Sequence, residues 1–325
     1  MVDTERIARM SARVVRIRAR NPSPMTLEGT NTYLIDVGGG AAAVVDPGPL
    51  DPEHVDIIVE TARRERQHIS GILVTHGHPD HAPAAALLRE RTTAPVYAHP
   101  DARFAFDHAL GDDARVSMGG AVAIRSMHAP GHAVDHLVFW LEDDGALFSG
   151  DVVVGRGTVV VAPPGGDMRR YQTTLARLRK NYSHANVILG GHGPRIDDAR
   201  AKLNEYIAHR AAREREIVTA LMSIGPTTIP HIVARVYAGT PPVLWPVAAR
   251  QVLAYLDALQ REGSVVTMVL DRAPTAFEAS LLYPDLSAVT GVDSVAVARA
   301  ELGFDAAEAP IRSYRLNVNR TSQRG

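Results

Sequence analysis

The 325-residue sequence contains no cysteine, which removes disulfide cross-links, thiolate metal sites and cysteine nucleophiles. Chemistry must rest on imidazole, carboxylate, hydroxyl or amine groups. Charge of one sign is also lacking: 35 lysines and arginines face 36 aspartates and glutamates. No global field gathers polyanions, so nucleic-acid binding would need a local patch. Long apolar runs are missing too. Residues 1–20 carry Glu5 and six arginines, and neither a secretory signal nor a membrane span is visible, so a soluble, cytoplasmic protein with no membrane partner is expected. Aromatic residues are scarce, but 46% hydrophobic residues can bury a substantial core, and the length suits one large domain plus a smaller one.

What is present alternates. Short β-branched runs at Val14 to Ile17, Thr32 to Val37 and Ala42 to Val45 read as strands, punctuated by Gly38-Gly39-Gly40. Asp51-Pro52-Glu53 caps a helix reaching Arg63, with Val55, Ile58, Val59 and Ala62 on one face. The alternation continues through strand Ile72 to Val74, helix Ala84 to Arg91, strands Val96 to Ala98 and Val122 to Ser126, and a hairpin joining Leu137 to Leu141 with Ala146 to Phe148. Helix Arg169 to Lys180 and strand Val187 to Leu189 close a layered α/β domain near residue 195. A helix-forming run from Ala199 to Ile224 leads into a different texture. Thr228 to Tyr237, Pro246 to Glu262 and Val265 to Leu270 read as helix, helix, strand, which suits a small winged-helix module. Expected boundaries are 1–208, 209–271, and an extension over 272–325 whose packing the pattern leaves open.

The chemistry concentrates directly after the strand ending in Val74. Thr75-His76-Gly77-His78-Pro79-Asp80-His81 packs three histidines and an aspartate into six residues. A polar turn capping the next helix explains such crowding poorly. Imidazole and carboxylate ligate divalent first-row metals, and a strand end opening into a tight loop aims alternate side chains at one point. The spacing allows two adjacent metal sites.

This H-x-H-x-D-H pattern resembles the metallo-β-lactamase superfamily. The resemblance implies a four-layer αββα fold and seven ligands for two divalent ions: His76 and His78 with His132 at one, Asp80 and His81 with His192 at the other, and Asp151 bridging. His132 stands in Ala129-Pro130-Gly131-His132, Asp151 in Phe148-Ser149-Gly150-Asp151, and His192 in Gly190-Gly191-His192-Gly193-Pro194; each alone could be an ordinary buried polar residue. Asp46, in Val45-Asp46-Pro47-Gly48, matches an early aspartate that orients a ligand histidine, unless it only shapes a turn. His136 is expected to hydrogen-bond rather than ligate. The remaining histidines, among them His54, His99 and His128, are expected on the surface or in the core. Zinc suits the ligand set best, and iron or manganese also fit.

Lack of cysteine and presence of Asp151 separate the sequence from antibiotic-hydrolysing relatives. Asn21-Pro22-Ser23-Pro24-Met25-Thr26-Leu27-Glu28-Gly29-Thr30-Asn31-Thr32-Tyr33-Leu34, Gly191-His192-Gly193-Pro194 and Glu205-Tyr206-Ile207-Ala208-His209-Arg210-Ala211-Ala212-Arg213-Glu214 resemble the β-lactamase-like protein 2 family over residues of about 12 to 270, winged-helix module included. That family and its neighbours include thioesterases acting on carrier-bound acyl groups and a single-strand-specific endoribonuclease. The resemblance implies a metal-bridging hydroxide attacking an ester or thioester of a small or carrier-bound acyl substrate, with Asp80 accepting the water's proton. The alternatives are cleavage of single-stranded RNA, or a non-hydrolytic metal-binding or redox role. Arg16, Arg18 and Arg20 alternate with apolar residues and make one strand face basic, suited to phosphate or to solvent. His209, Arg210 and Arg213 mark a helix that is either solvated or a substrate clamp, and Leu244 and Trp245 read as core of the small module. Oligomeric state is not legible.

Overall fold

The structure is a computed structural model describing residues 6–282 and 311–317. It contains a seven-stranded sheet, in chain order, of β1 (Ile7–Arg9), β2 (Val14–Arg18), β3 (Asn31–Gly38), β4 (Ala41–Val45), β5 (His68–Leu73), β6 (Val96–Ala98) and β7 (His108–Ala109). The first four run antiparallel, and β4 to β7 run parallel. The crossovers from β4 to β5 and from β5 to β6 are helices, α1 (Pro52–Arg64) and α2 (Ala84–Thr92), the usual link between parallel strands. Asp51 caps α1 by accepting a hydrogen bond from the Glu53 amide at 3.0 Å.

A second sheet has the order β12-β11-β10-β9-β8, from β8 (Arg115–Ser117), β9 (Ala123–His128), β10 (Leu137–Leu141), β11 (Ala146–Gly150) and β12 (Val187–Gly190). β11 and β12 are parallel and the other pairs antiparallel. Strand alternation sorts the apolar residues into two cores. Tyr33, Ile35 and Val45 meet Leu137, Phe139, Phe148 and Leu189 between the sheets, while Leu34, Val44 and Ile72 pack under Val55, Ile58 and Leu88 of α1 and α2. On the outer face of the second sheet, Trp140 meets Tyr182 of α3 (Met168–Tyr182), ring centroids 5.2 Å apart. Two mixed sheets flanked by helices thus form the expected αββα arrangement.

The chain divides into two compact units. The first ends at Tyr206, within α4 (Ala199–Ile224), and the stretch Val160–Thr173 belongs to the second. The second unit holds α5 (Ile229–Val236), α6 (Trp245–Arg261), α7 (Ala276–Leu282) and a three-stranded sheet. In that sheet β15 (Arg312–Leu316) lies between β13 (Thr227–Thr228) and β14 (Val265–Val269). The region after 271 therefore contributes a helix and a central strand; residues 283–310 and 318–325 lie outside the described ones. Arg210 is 1% exposed, its guanidinium 5.0 Å from the Tyr171 ring centroid, and Arg213 stacks on Tyr237 at 4.2 Å. Both guanidinium groups thus stack on tyrosines of the second unit. Trp245 is half-buried, its indole donating to the Thr240 carbonyl. No helix among the described residues is long and apolar enough to cross a membrane.

Candidate metal centre

Strand tips deliver the site. Asp46 follows β4, Thr75 to His81 follow β5, His132 and His136 lie between β9 and β10, and Asp151 and His192 leave the adjacent tips of β11 and β12. All seven expected ligands converge, in trios His76/His78/His132, His76/His81/Asp151 and Asp80/His81/His192, with candidate ligand atoms in each trio within 4.8 Å of one another.

In the first trio His78 Nδ1 lies 2.9 Å from His76 Nε2 and 3.0 Å from His132 Nε2. In the third, His192 Nε2 lies 3.1 Å from Asp80 Oδ2 and 3.3 Å from Asp151 Oδ2. Asp151 stands between the two, its other oxygen 3.5 Å from His81 Nε2 and its Oδ2 3.8 Å from His132 Nε2. Glycines make the approach possible. Gly150, at φ 47°, has no room for a Cβ, which would come within 2.8 Å of His136 and Thr75. A Cβ on Gly191 would overlap Asp151 Oδ1 and come 2.6 Å from His81 Cε1.

A surrounding layer orients these groups. Asp46, at φ 51°, accepts from the Thr75 amide at 2.7 Å, the Thr75 hydroxyl at 2.8 Å and His81 Nδ1 at 2.8 Å. That bond leaves His81 Nε2 facing the carboxylates. His136 Nε2 accepts from the Asp151 amide at 3.0 Å, while its ring stacks on His76, centroids 4.6 Å apart. Asp135, buried, accepts from the Gly77 amide at 2.9 Å.

Electrostatics divides the histidines. Burial pushes His76 far down and His78 down to about 3, with neighbouring imidazoles adding to the effect. Burial also opposes charge on His81 and His192, but Asp80, Asp46 and Asp151 outweigh it for His81, and Asp151 and Asp80 lift His192 to about 10. Burial opposes ionisation of Asp80 and Asp151 as well, yet His81 and His192 hold both well below the carboxylate range. Buried Asp151 and half-buried Asp80 thus draw positive charge into the site, which bound cations would supply while displacing those protons. Buried His81 Nε2 and Asp151 Oδ1 make no hydrogen bond among the described residues, the condition expected of atoms reserved for a cation. The donor set fits a pair of divalent metals.

Sequence reasoning missed Thr75, whose hydroxyl joins Asp46 to His76 Nδ1 at 2.9 Å, and Thr30, whose hydroxyl is 3.5 Å from Asp80 Oδ2. It also missed Asn31, whose amide donates to the Gly190 and Gly193 carbonyls at 3.1 and 2.9 Å. Their signal was faint: Thr30 and Asn31 are small polar residues where β3 begins, and Thr75 is one just past the end of β5. The basic strand face differs from expectation in one respect. Arg20 lies beyond β2 and pairs with Glu53 at 2.9 Å, leaving Arg16 and Arg18 on the face shared with core residue Val14.

Two mixed sheets sandwiched by helices, with a histidine-aspartate cluster at the strand tips, define a metallo-β-lactamase-type hydrolase fold. Residues 25–192 match the Metallo-beta-lactamase superfamily and residues 228–268 the Beta-lactamase associated winged helix domain; the chain belongs to the metallo-beta-lactamase superfamily. It is 33% identical over 272 residues to Beta-lactamase-like protein 2 homolog of Caenorhabditis elegans, covering 82% of this chain and 90% of that one. It is 32% identical over 245 residues to Atrochrysone carboxyl ACP thioesterase of Aspergillus chevalieri, covering 72% and 76%. A Beta-lactamase domain protein from Burkholderia ambifaria shares the fold at TM-score 0.69 and 22% identity, over 82% of this chain and 91% of that one.

Proposed function

We propose that the chain is a binuclear metal-dependent hydrolase that cleaves an ester or thioester of a small or carrier-bound acyl substrate. The observation that carries this reading is the convergence of two ligand trios about Asp151, in a chain similar to an ACP thioesterase. In this reading His76, His78 and His132 hold one ion, Asp80, His81 and His192 the other, and Asp151 both. Zinc matches the all-nitrogen-and-oxygen set. Bound cations would make hydroxide available near neutral pH and polarise the acyl oxygen.

The chain's own groups do the rest. Asp80 holds the attacking water's proton, its Oδ2 already facing His192 and the Thr30 hydroxyl. Asp46 keeps the His81 ring in one tautomer and orientation, and His136 pins the backbone of Asp151.

The test is a panel of acyl thioesters, lactones and single-stranded RNA offered to purified, metal-loaded protein beside His78→Ala. Thioester turnover that falls at least about a hundredfold in His78→Ala is the expected result. RNA cleavage that depends on His78, with no ester or thioester turned over, would replace this reading with that of an endoribonuclease.

A further inference from the structure

Arg16 and Arg18 stand on the sheet face that turns towards the inter-sheet core, two residues apart on β2 and following Val14 in the same alternation. A charged pair in that position calls for an explanation, because like charges repel and half-burial deprives each of water. Both arginines are half-buried, and neither has a carboxylate within ion-pair distance among the described residues. The buried Arg16 Nε makes no hydrogen bond there. Burial lowers the Arg16 pKa, with Arg18 adding to the effect. The nearby carboxylate, Glu28, is already paired with Arg156. Arg16, Arg18, Arg156 and Glu28 together leave an excess of two positive charges.

Cross-strand register fixes where this excess lies. Arg16 is opposite Tyr33 and Arg18 opposite Asn31. Tyr33 Oη donates to the Gly190 carbonyl at 2.7 Å, and Asn31 holds the Gly190 and Gly193 carbonyls. Thr30, the next residue, bridges to His192, and the Gly155 amide preceding Arg156 donates to the His192 carbonyl. The unmatched arginines therefore flank the loop that carries His192, beside the metal centre and outside its ligand set.

We propose that Arg16 and Arg18 form a phosphate-binding subsite beside the His192 loop, which receives the phosphate at the far end of a pantetheine thioester arm. The inference rests on the thioesterase reading of the centre. A pantetheine thioester places its reacting carbonyl at one end of a flexible chain and a phosphate ester at the other, so the phosphate must be recognised by groups other than the metal ligands. Guanidinium donors suit phosphate oxygens in geometry and charge. Coenzyme A and a carrier protein present the same phosphopantetheine chemistry, and the subsite is indifferent to which supplies it.

The experiment compares kcat/KM for an acyl-pantetheine 4′-phosphate with that for the same acyl-pantetheine lacking phosphate, in the metal-loaded wild type and in Arg18→Gln and Arg16→Gln/Arg18→Gln. Wild type should prefer the phosphorylated thioester by about ten- to a hundredfold, through KM, and the preference should shrink towards unity in the variants. An equal preference in wild type and variants overturns the proposal. Acyl-coenzyme A and an acylated carrier protein, run in parallel, identify the source by which of them loses turnover. Calorimetry of pantetheine 4′-phosphate against pantetheine reads the subsite without turnover. Weaker binding of the phosphate form alone in Arg18→Gln sustains the proposal even if no thioester is hydrolysed, the result that would sink the thioesterase reading instead. Unchanged binding there, with binding of a single-stranded oligoribonucleotide lost, overturns it in favour of an RNA backbone.

Discussion

Asp46 shows how much a single side chain decides. Its two carboxylate oxygens accept three hydrogen bonds, one of which sets the tautomer of His81. An asparagine offers one acceptor oxygen, so Asp46→Asn must set a donor against either Thr75 or His81. The expected outcome is a tenfold to hundredfold loss of metal affinity with the fold retained, read by titration with a metal indicator and by a thermal melt. Affinity within twofold of wild type would mean that packing alone holds His81. The cluster from His76 to His81 was legible because its members are neighbours in sequence. Thr75, Thr30 and Asn31 were not, because each acts on a partner distant along the chain, as Asn31 does on Gly190. Asp151 and His192 were visible only through resemblance, since nothing in either segment alone shows that β11 and β12 end side by side.

At the level of elements, legibility followed burial and length. The buried strands β3, β4 and β10 and the helices α1, α2 and α4 were expected nearly where they lie, α1 from its apolar face and α4 from a long run of helix-forming residues. The short strands β1, β7 and β8 expose or half-expose most of their residues and leave no periodic trace. β15 was missed for a different reason. Its neighbour β14 lies far back in the sequence, and Arg312-Ser313-Tyr314-Arg315-Leu316 alternates polar and apolar residues over too short a span to distinguish strand from coil. Tyr314, 3% exposed and opposite both Thr227 and Thr267, anchors the middle of that sheet. Tyr314→Ala should destabilise the second unit by about 3 kcal/mol, measured by urea unfolding. A loss below about 0.5 kcal/mol, the size of an ordinary surface change, would show that β15 adds little to the sheet.

The whole molecule carries a net charge of −1, so its pH response comes from particular groups rather than from general repulsion. His54 is fully buried. The Thr32 hydroxyl donates to the Asp46 carbonyl and so accepts from His54 Nε2 at 2.9 Å, leaving Nδ1 to accept from Arg6 at 3.4 Å. Burial, then the Arg6 charge, pushes the His54 pKa down from 6.5 to about 4. The unfolded chain therefore binds a proton that the folded chain refuses between those values. Stability from this group is complete above 6.5 and falls as pH drops towards 4, by about 3 kcal/mol in all. His54→Gln should flatten the pH dependence of the melting temperature in that window relative to wild type. Parallel curves for the two proteins would refute the assignment.

Metal dependence of stability tests the centre itself, independently of any substrate. A ligand that binds only the folded chain stabilises it by about 2.7 kcal/mol at a hundred times its dissociation constant. At roughly 2–4 °C per kcal/mol for a domain of 150–250 residues, a chelator should lower the melting temperature by about 5–10 °C, and added metal should restore it. Asp151→Ala keeps His76, His78 and His132 but removes the carboxylate standing between the two trios. It should retain one equivalent of metal by elemental analysis and respond to chelation by a smaller shift. Two equivalents in that variant, or a melt indifferent to chelator in the unsubstituted protein, would show that these side chains gather for a reason other than holding a pair of cations.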